Sequence, residues 1–165
     1  MTRSGISRIL ITGAAGQIGS ELTPKLREKY GRENVVASDI REPSGSLSDD
    51  GPYETLDVTD KEKMAGIVKE YEIDTIFHLA ALLSATGEMN PQLVWRVNIG
   101  GLYNVLEVAR ELDLTRVFNP SSIAAFGPET PKALTPQETI LRPKTIYGIT
   151  TVSYTHLTLP TTPYV

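Results

Sequence analysis

Ile9-Leu10-Ile11-Thr12-Gly13-Ala14-Ala15-Gly16-Gln17-Ile18-Gly19 decides how this chain folds. From Ile6 to Thr12 the sequence is a short isoleucine-rich run that ends in glycine. From Gln17 to Tyr30, apolar residues recur every fourth position at Ile18, Leu22 and Leu26. A short apolar run giving way to fourfold spacing across a glycine-rich turn predicts strand, turn, helix. Glycine trios are common in turns of many kinds. Between a strand and a helix, however, each glycine has a physical reason to be there. Gly13 permits the tight turn, Gly16 lets backbone N–H groups approach a pyrophosphate at the helix N-terminus, and Gly19 lets helix and strand pack closely.

The same alternation continues outward. Gly31 closes the first helix and Asn34 to Ser38 gives a second β-branched run. Glu54-Thr55-Leu56 is a short strand-like stretch, and Asp60 is placed to cap a helix carrying Met64, Ile67 and Val68. Another strand is expected at Thr75 to Leu79. Pro91 starts a long helix through Leu93, Val97, Leu102, Leu106 and Ala109, and Thr115 to Phe118 forms a last strand before Asn119-Pro120. Strands alternating with helices of this length predict an α/β fold, a doubly wound parallel sheet of Rossmann type with right-handed crossovers. In such sheets ligands sit beyond the carboxyl ends of the strands.

Composition narrows the function. The chain has 165 residues, 40% hydrophobic and 22% charged, which suits a soluble globular protein and leaves no room for a second full domain. Its formal net charge of −4 supplies no basic field for phosphate backbones, so nucleic acid is not an expected partner. The absence of cysteine excludes disulfides and thiolate zinc sites. No apolar run approaches the ~18 residues of a membrane helix, so no membrane partner and a cytoplasmic location are expected.

Candidate site residues follow the strands. Asp39 stands 20 residues after Gly19, at the end of the second strand. There a carboxylate can accept hydrogen bonds from an adenosine ribose and would repel a 2′-phosphate, which favours NAD over NADP. Arg41 cuts against that preference, and a solvated turn aspartate is the plain alternative. Asp57-Val58 is placed to meet an adenine amine, or else to form an Asx turn. His78 is expected to be a packed structural histidine: the other histidine, His156, lies in the tail set apart from the fold, so no pair is left for a metal site or triad. The small residues Leu79-Ala80-Ala81 suit a backbone passing close to a flat ligand. Ser122 can orient a substrate oxygen, and Tyr147, 25 residues on, can exchange a proton. A phenol ionises near pH ~10 and needs a neighbouring cation to act as a base at neutral pH. A lysine at i+4 would supply it, but that position is Thr151.

Thr12-Gly13-Ala14-Ala15-Gly16-Gln17-Ile18-Gly19, His78-Leu79-Ala80-Ala81-Leu82-Leu83-Ser84, Pro120-Ser121-Ser122-Ile123-Ala124-Ala125-Phe126-Gly127 and Thr145-Ile146-Tyr147-Gly148 resemble the extended short-chain dehydrogenase/reductases, and within them the L-threonine 3-dehydrogenase branch. The resemblance implies NAD as cofactor, held by Gly13, Gly16, Gln17, Ile18, Gly19, Asp39, Ile40, Arg41, Asp57, Val58, Leu79, Ala80, Ala81, Asn98 and Tyr147. It also implies Tyr147 as acid/base, Ser122 as the group orienting the substrate hydroxyl, Ser84 as a substrate contact, L-threonine as small-molecule substrate, no metal, and a homodimeric parent. A sugar-nucleotide epimerase or dehydratase, or a non-catalytic NAD-binding protein of the same fold, are the alternatives.

Two departures coincide. The family's tyrosine-to-lysine spacing is broken at Thr151, and the family's C-terminal substrate half is not seen. From Thr151 the sequence turns threonine-rich, with two prolines and no charge. The expectation is an NAD-binding Rossmann domain over 1–150, truncated, with a non-native tail over 151–165. Such a chain should bind NAD without turning over L-threonine.

Overall fold

Ile9–Thr12, four consecutive buried residues, form β1, the central strand of the sheet. The computed structural model describes residues 5–43 and 46–155. In chain order the elements are β1, α1 (Gln17–Tyr30), β2 (Val35–Asp39), α2 (Ser46–Asp49), β3 (Tyr53–Thr55), α3 (Lys61–Glu70), β4 (Thr75–His78), α4 (Ser84–Met89), α5 (Pro91–Val94), α6 (Gly101–Glu111), β5 (Arg116–Phe118) and α7 (Ile146–Thr155). These residues fall into two compact units. The first runs to Ala80 and adds Gly101–Pro120; the second is Ala81–Gly100 with the residues from Ser121 on.

In the first unit five parallel strands pair in the order β3-β2-β1-β4-β5. Ile9 lies opposite Val35 of β2 and opposite Thr75 of β4. The chain therefore steps outward twice from β1, then returns to its other side. That reversal leaves a crevice at the carboxyl ends of β1 and β4, where doubly wound sheets take ligands. Side chains alternate across the strands. Ile9 and Ile11 cluster with Val35, Ala37, Ala14, Leu26 of α1 and Leu47 of α2. Leu10, Val36 and Ile76 face the other way and are as fully buried. α3 and α6 pack on each other, burying Met64, Ile67, Leu102, Val105 and Val108.

Two buried charged groups tie this unit together. Arg27 donates to the carbonyls of Val35 (3.4 Å), Leu47 (3.2 Å) and Pro52 (2.7 Å), joining α1 to β2 and the segment before β3. Asp74 accepts from the backbone N–H groups of Ser7 (3.0 Å) and Arg8 (2.9 Å) and from the Thr75 hydroxyl (2.7 Å). Asp74 also explains why β1 starts at Ile9 rather than at Ile6, because Ser7 and Arg8 give their N–H groups to a carboxylate instead of a strand ladder.

Three further differences from the sequence expectation have physical causes. Tyr53–Thr55 is a true ladder strand beside β2, faint in sequence because none of its residues is fully buried. Leu79 lies outside β4, although its N–H still reaches the Thr12 carbonyl at 3.0 Å. The helix expected from Pro91 is not one regular helix. It is α-helical to Val94, π-helical over Trp95–Gly100 and α-helical again from Gly101. The wide turn ends on Gly100, at the Gly100-Gly101 pair, where helix propensity is weakest.

The second unit holds α4, α5, the π segment, a 3-10 turn at Ile123–Ala125 and α7. Residues 151–155, placed by the sequence in a non-native tail, continue α7, and 156–165 lie outside the described residues. No helix among the described residues is long and apolar enough to cross a membrane.

Candidate functional site

The carboxyl end of β1 turns on Gly13, whose φ of 72° lies in the left-handed region. A Cβ there would stand 2.6 Å from the Ala80 nitrogen and 2.7 Å from the Leu79 carbonyl carbon, so only glycine lets these two backbones meet. Gly16 is extended, with φ −78° and ψ 172°, and its N–H bonds the Gly13 carbonyl at 3.0 Å. It is the N-cap of α1, yet no side-chain cap bond forms there and the first turn holds no acidic residue. The first-turn N–H groups and the positive end of the helix dipole are thus left for an anion to satisfy. A Cβ on Gly19 would lie 2.5 Å from the Gly13 oxygen and 2.6 Å from Ala14 Cα, which explains the third glycine. Gln17 is exposed, and Ile18 and Ile40 keep 62% and 66% of their surface exposed.

Asp39 is no solvated turn residue: it is buried at the end of β2. Its Oδ2 accepts the Ala15 N–H at 3.1 Å, and its Oδ1 accepts the Arg41 N–H at 3.1 Å. The Arg41 guanidinium forks onto both oxygens, Nε to Oδ1 at 3.0 Å and Nη2 to Oδ2 at 3.2 Å. Burial pushes the Asp39 carboxyl up, but the Arg41 and Ala15 hydrogen bonds outweigh it and leave the group below the usual carboxylate range.

Asp57 Oδ1 accepts from the Thr59 N–H (2.9 Å) and hydroxyl (2.8 Å), an Asx turn beyond β3. Val58 is buried, and its carbonyl accepts from Asn104 Nδ2 at 3.0 Å. His78 is fully packed, with Nδ1 2.8 Å from the Thr12 hydroxyl, and burial pushes its pKa down to about 4. A neutral imidazole there at pH 7 holds β1 to β4.

The second unit carries the other candidates. Ala81 opens it, and Ser84 is the first residue of α4. Ser84 shares the lining of an open cavity of about 390 Å³ with Phe126, Pro128, Lys144 and Thr145. Lys144, the cation of that lining, has no sequence pattern to mark it. Ser122 caps the 3-10 turn, its Oγ accepting the Ala124 N–H at 3.2 Å. α7 packs on that turn, and Gly148 passes so close to the Ala124 carbonyl that a Cβ would collide with it. Tyr147 and Ser122 therefore stand on neighbouring elements.

Asn98 is buried and gives its amide to the Leu82 backbone, Oδ1 accepting at 2.8 Å and Nδ2 donating at 3.0 Å. Nδ2 also reaches the Thr150 hydroxyl at 3.4 Å. The hydroxyls of Thr150 and Thr151 donate to the Tyr147 carbonyl at 2.9 and 2.8 Å. Thr151, where a cation would serve Tyr147, is thus buried and turned onto its own helix backbone. Tyr154 carries no mark in the sequence pattern. Burial pushes its phenol up, partly offset by hydrogen bonds with Thr151 and Ser121. Among the described residues no group of three His, Cys, Asp or Glu is placed to hold a metal.

The sequence profile described as "NAD dependent epimerase/dehydratase family" matches residues 9–161. An uncharacterized epimerase/dehydratase of Staphylococcus saprophyticus is 56% identical over 149 residues, covering 90% of this chain and 46% of that protein. The structure of L-threonine dehydrogenase from Clostridium difficile is similar with a TM-score of 0.86 at 54% identity, over 90% of this chain and 46% of that one. The holo form of an L-threonine dehydrogenase from Cupriavidus necator gives 0.83 at 52% identity, over 87% and 46%. The chain spans a little under half the length of these relatives.

Proposed function

The chain belongs to the NAD dependent epimerase/dehydratase family, and from that membership we propose that its first unit holds NAD(H) for oxidation of the 3-hydroxyl of L-threonine in a dehydrogenase. The buried Asp39 carboxylate beside an uncapped glycine-rich helix N-terminus is the observation that carries the cofactor choice. The pyrophosphate would lie against the α1 N-terminus between Gly13 and Gly16, with the ribose on Asp39 and the adenine against Ile18 and Ile40. A buried carboxylate at the ribose repels a 2′-phosphate, so NAD is held in preference to NADP. NAD, when bound, accepts hydride from the substrate carbon that bears the hydroxyl.

The second unit would supply the proton chemistry. In a whole protein of the relatives' length, Ser122 would orient the hydroxyl, Tyr147 take its proton and Ser84 contact the substrate, whereas here Thr151 leaves Tyr147 without the i+4 lysine. Asn98 positions the segment leading to Ser84 by clamping Leu82. The substrate assignment is supported by likeness to threonine dehydrogenases at above half identity.

Isothermal titration of the 165-residue chain tests the cofactor assignment. NAD is expected to bind and NADP to bind at least about tenfold more weakly, and Asp39→Ala should remove most of that preference, by about 1–3 kcal/mol for a lost charged acceptor. Equal binding of the two dinucleotides would overturn the assignment.

A further inference from the structure

We propose that Arg41 is a latch: its guanidinium occupies Asp39 when no dinucleotide is bound and must withdraw before the adenosine ribose can take its place. The inference rests on the assignment of NAD to the first unit and goes beyond it, because it makes Arg41 a competitor of the cofactor rather than one of its ligands.

The geometry is one of saturation. An ionised carboxylate offers about four acceptor directions. At Asp39 all four are filled: Oδ1 by the Arg41 N–H (3.1 Å) and Nε (3.0 Å), Oδ2 by the Ala15 N–H (3.1 Å) and Arg41 Nη2 (3.2 Å). Two of these donors are backbone groups fixed by the turns after β1 and β2. The other two belong to one movable side chain. A ribose diol also brings two O–H donors, so ribose and guanidinium exchange one for one and cannot share the carboxylate.

The surroundings make the exchange a side-chain event. The Arg41 side chain is 60% exposed while that of Asp39 is 6% exposed, so the guanidinium can retreat into water and the carboxylate cannot. The Arg41 carbonyl is held by the Tyr53 hydroxyl at 2.6 Å, which keeps the main chain in place while the side chain moves. The parked tip also reaches across the cradle, with Nη2 4.0 Å from where a Cβ on Gly16 would be. A closed latch therefore covers the ribose carboxylate and stands beside the pyrophosphate turn.

Removing the guanidinium while keeping an unbranched stem should therefore tighten NAD. Calorimetric titration of NAD into the full chain as wild type, Arg41→Met, Asp39→Asn and the double variant is the test, with thermal unfolding recorded for each. Arg41→Met is expected to bind NAD about three- to tenfold more tightly, the range of a partly exposed ion pair. Arg41→Lys, which keeps the charge without the fork, should fall between. In the Asp39→Asn background the Arg41 substitution should change NAD affinity by less than about twofold, because the pair it would break is already gone. If Arg41→Met binds NAD equally or more weakly than wild type, the latch is overturned and the cofactor assignment stands. If wild type and every variant fail to bind NAD, the cofactor assignment falls and the latch with it.

Discussion

His78 shows how one buried side chain makes stability depend on pH. Its folded-state pKa of about 4 lies below the ordinary 6.5, so between those values the unfolded chain binds a proton that the folded chain refuses. Stability is then complete above pH 6.5 and is lost as the pH falls toward 4, by about 3 kcal/mol. Urea unfolding midpoints taken across this window should fall steadily in the wild type. His78→Gln, which keeps a hydrogen-bonding partner for Thr12 but cannot titrate, should flatten the slope; an unchanged slope would assign it elsewhere. Asp39 and Asp74 act in a separate, lower range. Burial pushes each carboxyl up, but hydrogen bonds hold both below the usual value near 3.8, so their contribution is present above that pH and disappears beneath it.

At the scale of elements, two helical glycines make opposite predictions. Gly19→Ala in α1 would drive a methyl to 2.5 Å from the Gly13 oxygen and 2.7 Å from the Ala14 oxygen, both backbone. The helix must move off the cradle, so stability should fall by about 1–3 kcal/mol and NAD binding should be lost, read by urea unfolding and calorimetry. Gly66→Ala in α3 meets nothing within 4 Å and should raise stability by about 0.5–1 kcal/mol. A stabilised Gly19→Ala would contradict the close packing. The bounds of α1 were legible because fourfold spacing ends at Gly31, and the Asp60 cap because its Oδ1 does accept the Lys63 N–H, at 2.9 Å. The π segment was legible in principle: Leu93, Val97, Leu102, Leu106 and Ala109 contain a five-residue step that an α-helix does not make. Asp39 could be found from spacing alone. Its saturation by Arg41 could not, because that depends on a rotamer, and Asn98 and Leu82 meet across 16 residues that no local pattern links.

The whole molecule combines a glycine-rich helix N-terminus with a tyrosine that lacks a lysine at i+4. The chain incubated with NAD and L-threonine is therefore expected to form no NADH, followed by near-ultraviolet absorbance, while still binding NAD in the calorimeter. Any steady NADH production would mean that Tyr147 finds its cation elsewhere. The order of the strands also imposes a schedule on synthesis. β1 precedes the other four strands of the sheet and is the central one, and the histidine of β4 that bonds Thr12 comes 66 residues later. At roughly 5–20 residues per second, a nascent chain would hold one edge of its most apolar strand open for about 3–13 s. During that interval Ile9-Leu10-Ile11 is a target for chaperones and for neighbouring nascent chains, and slowing translation before Thr75 should lower the yield of soluble protein.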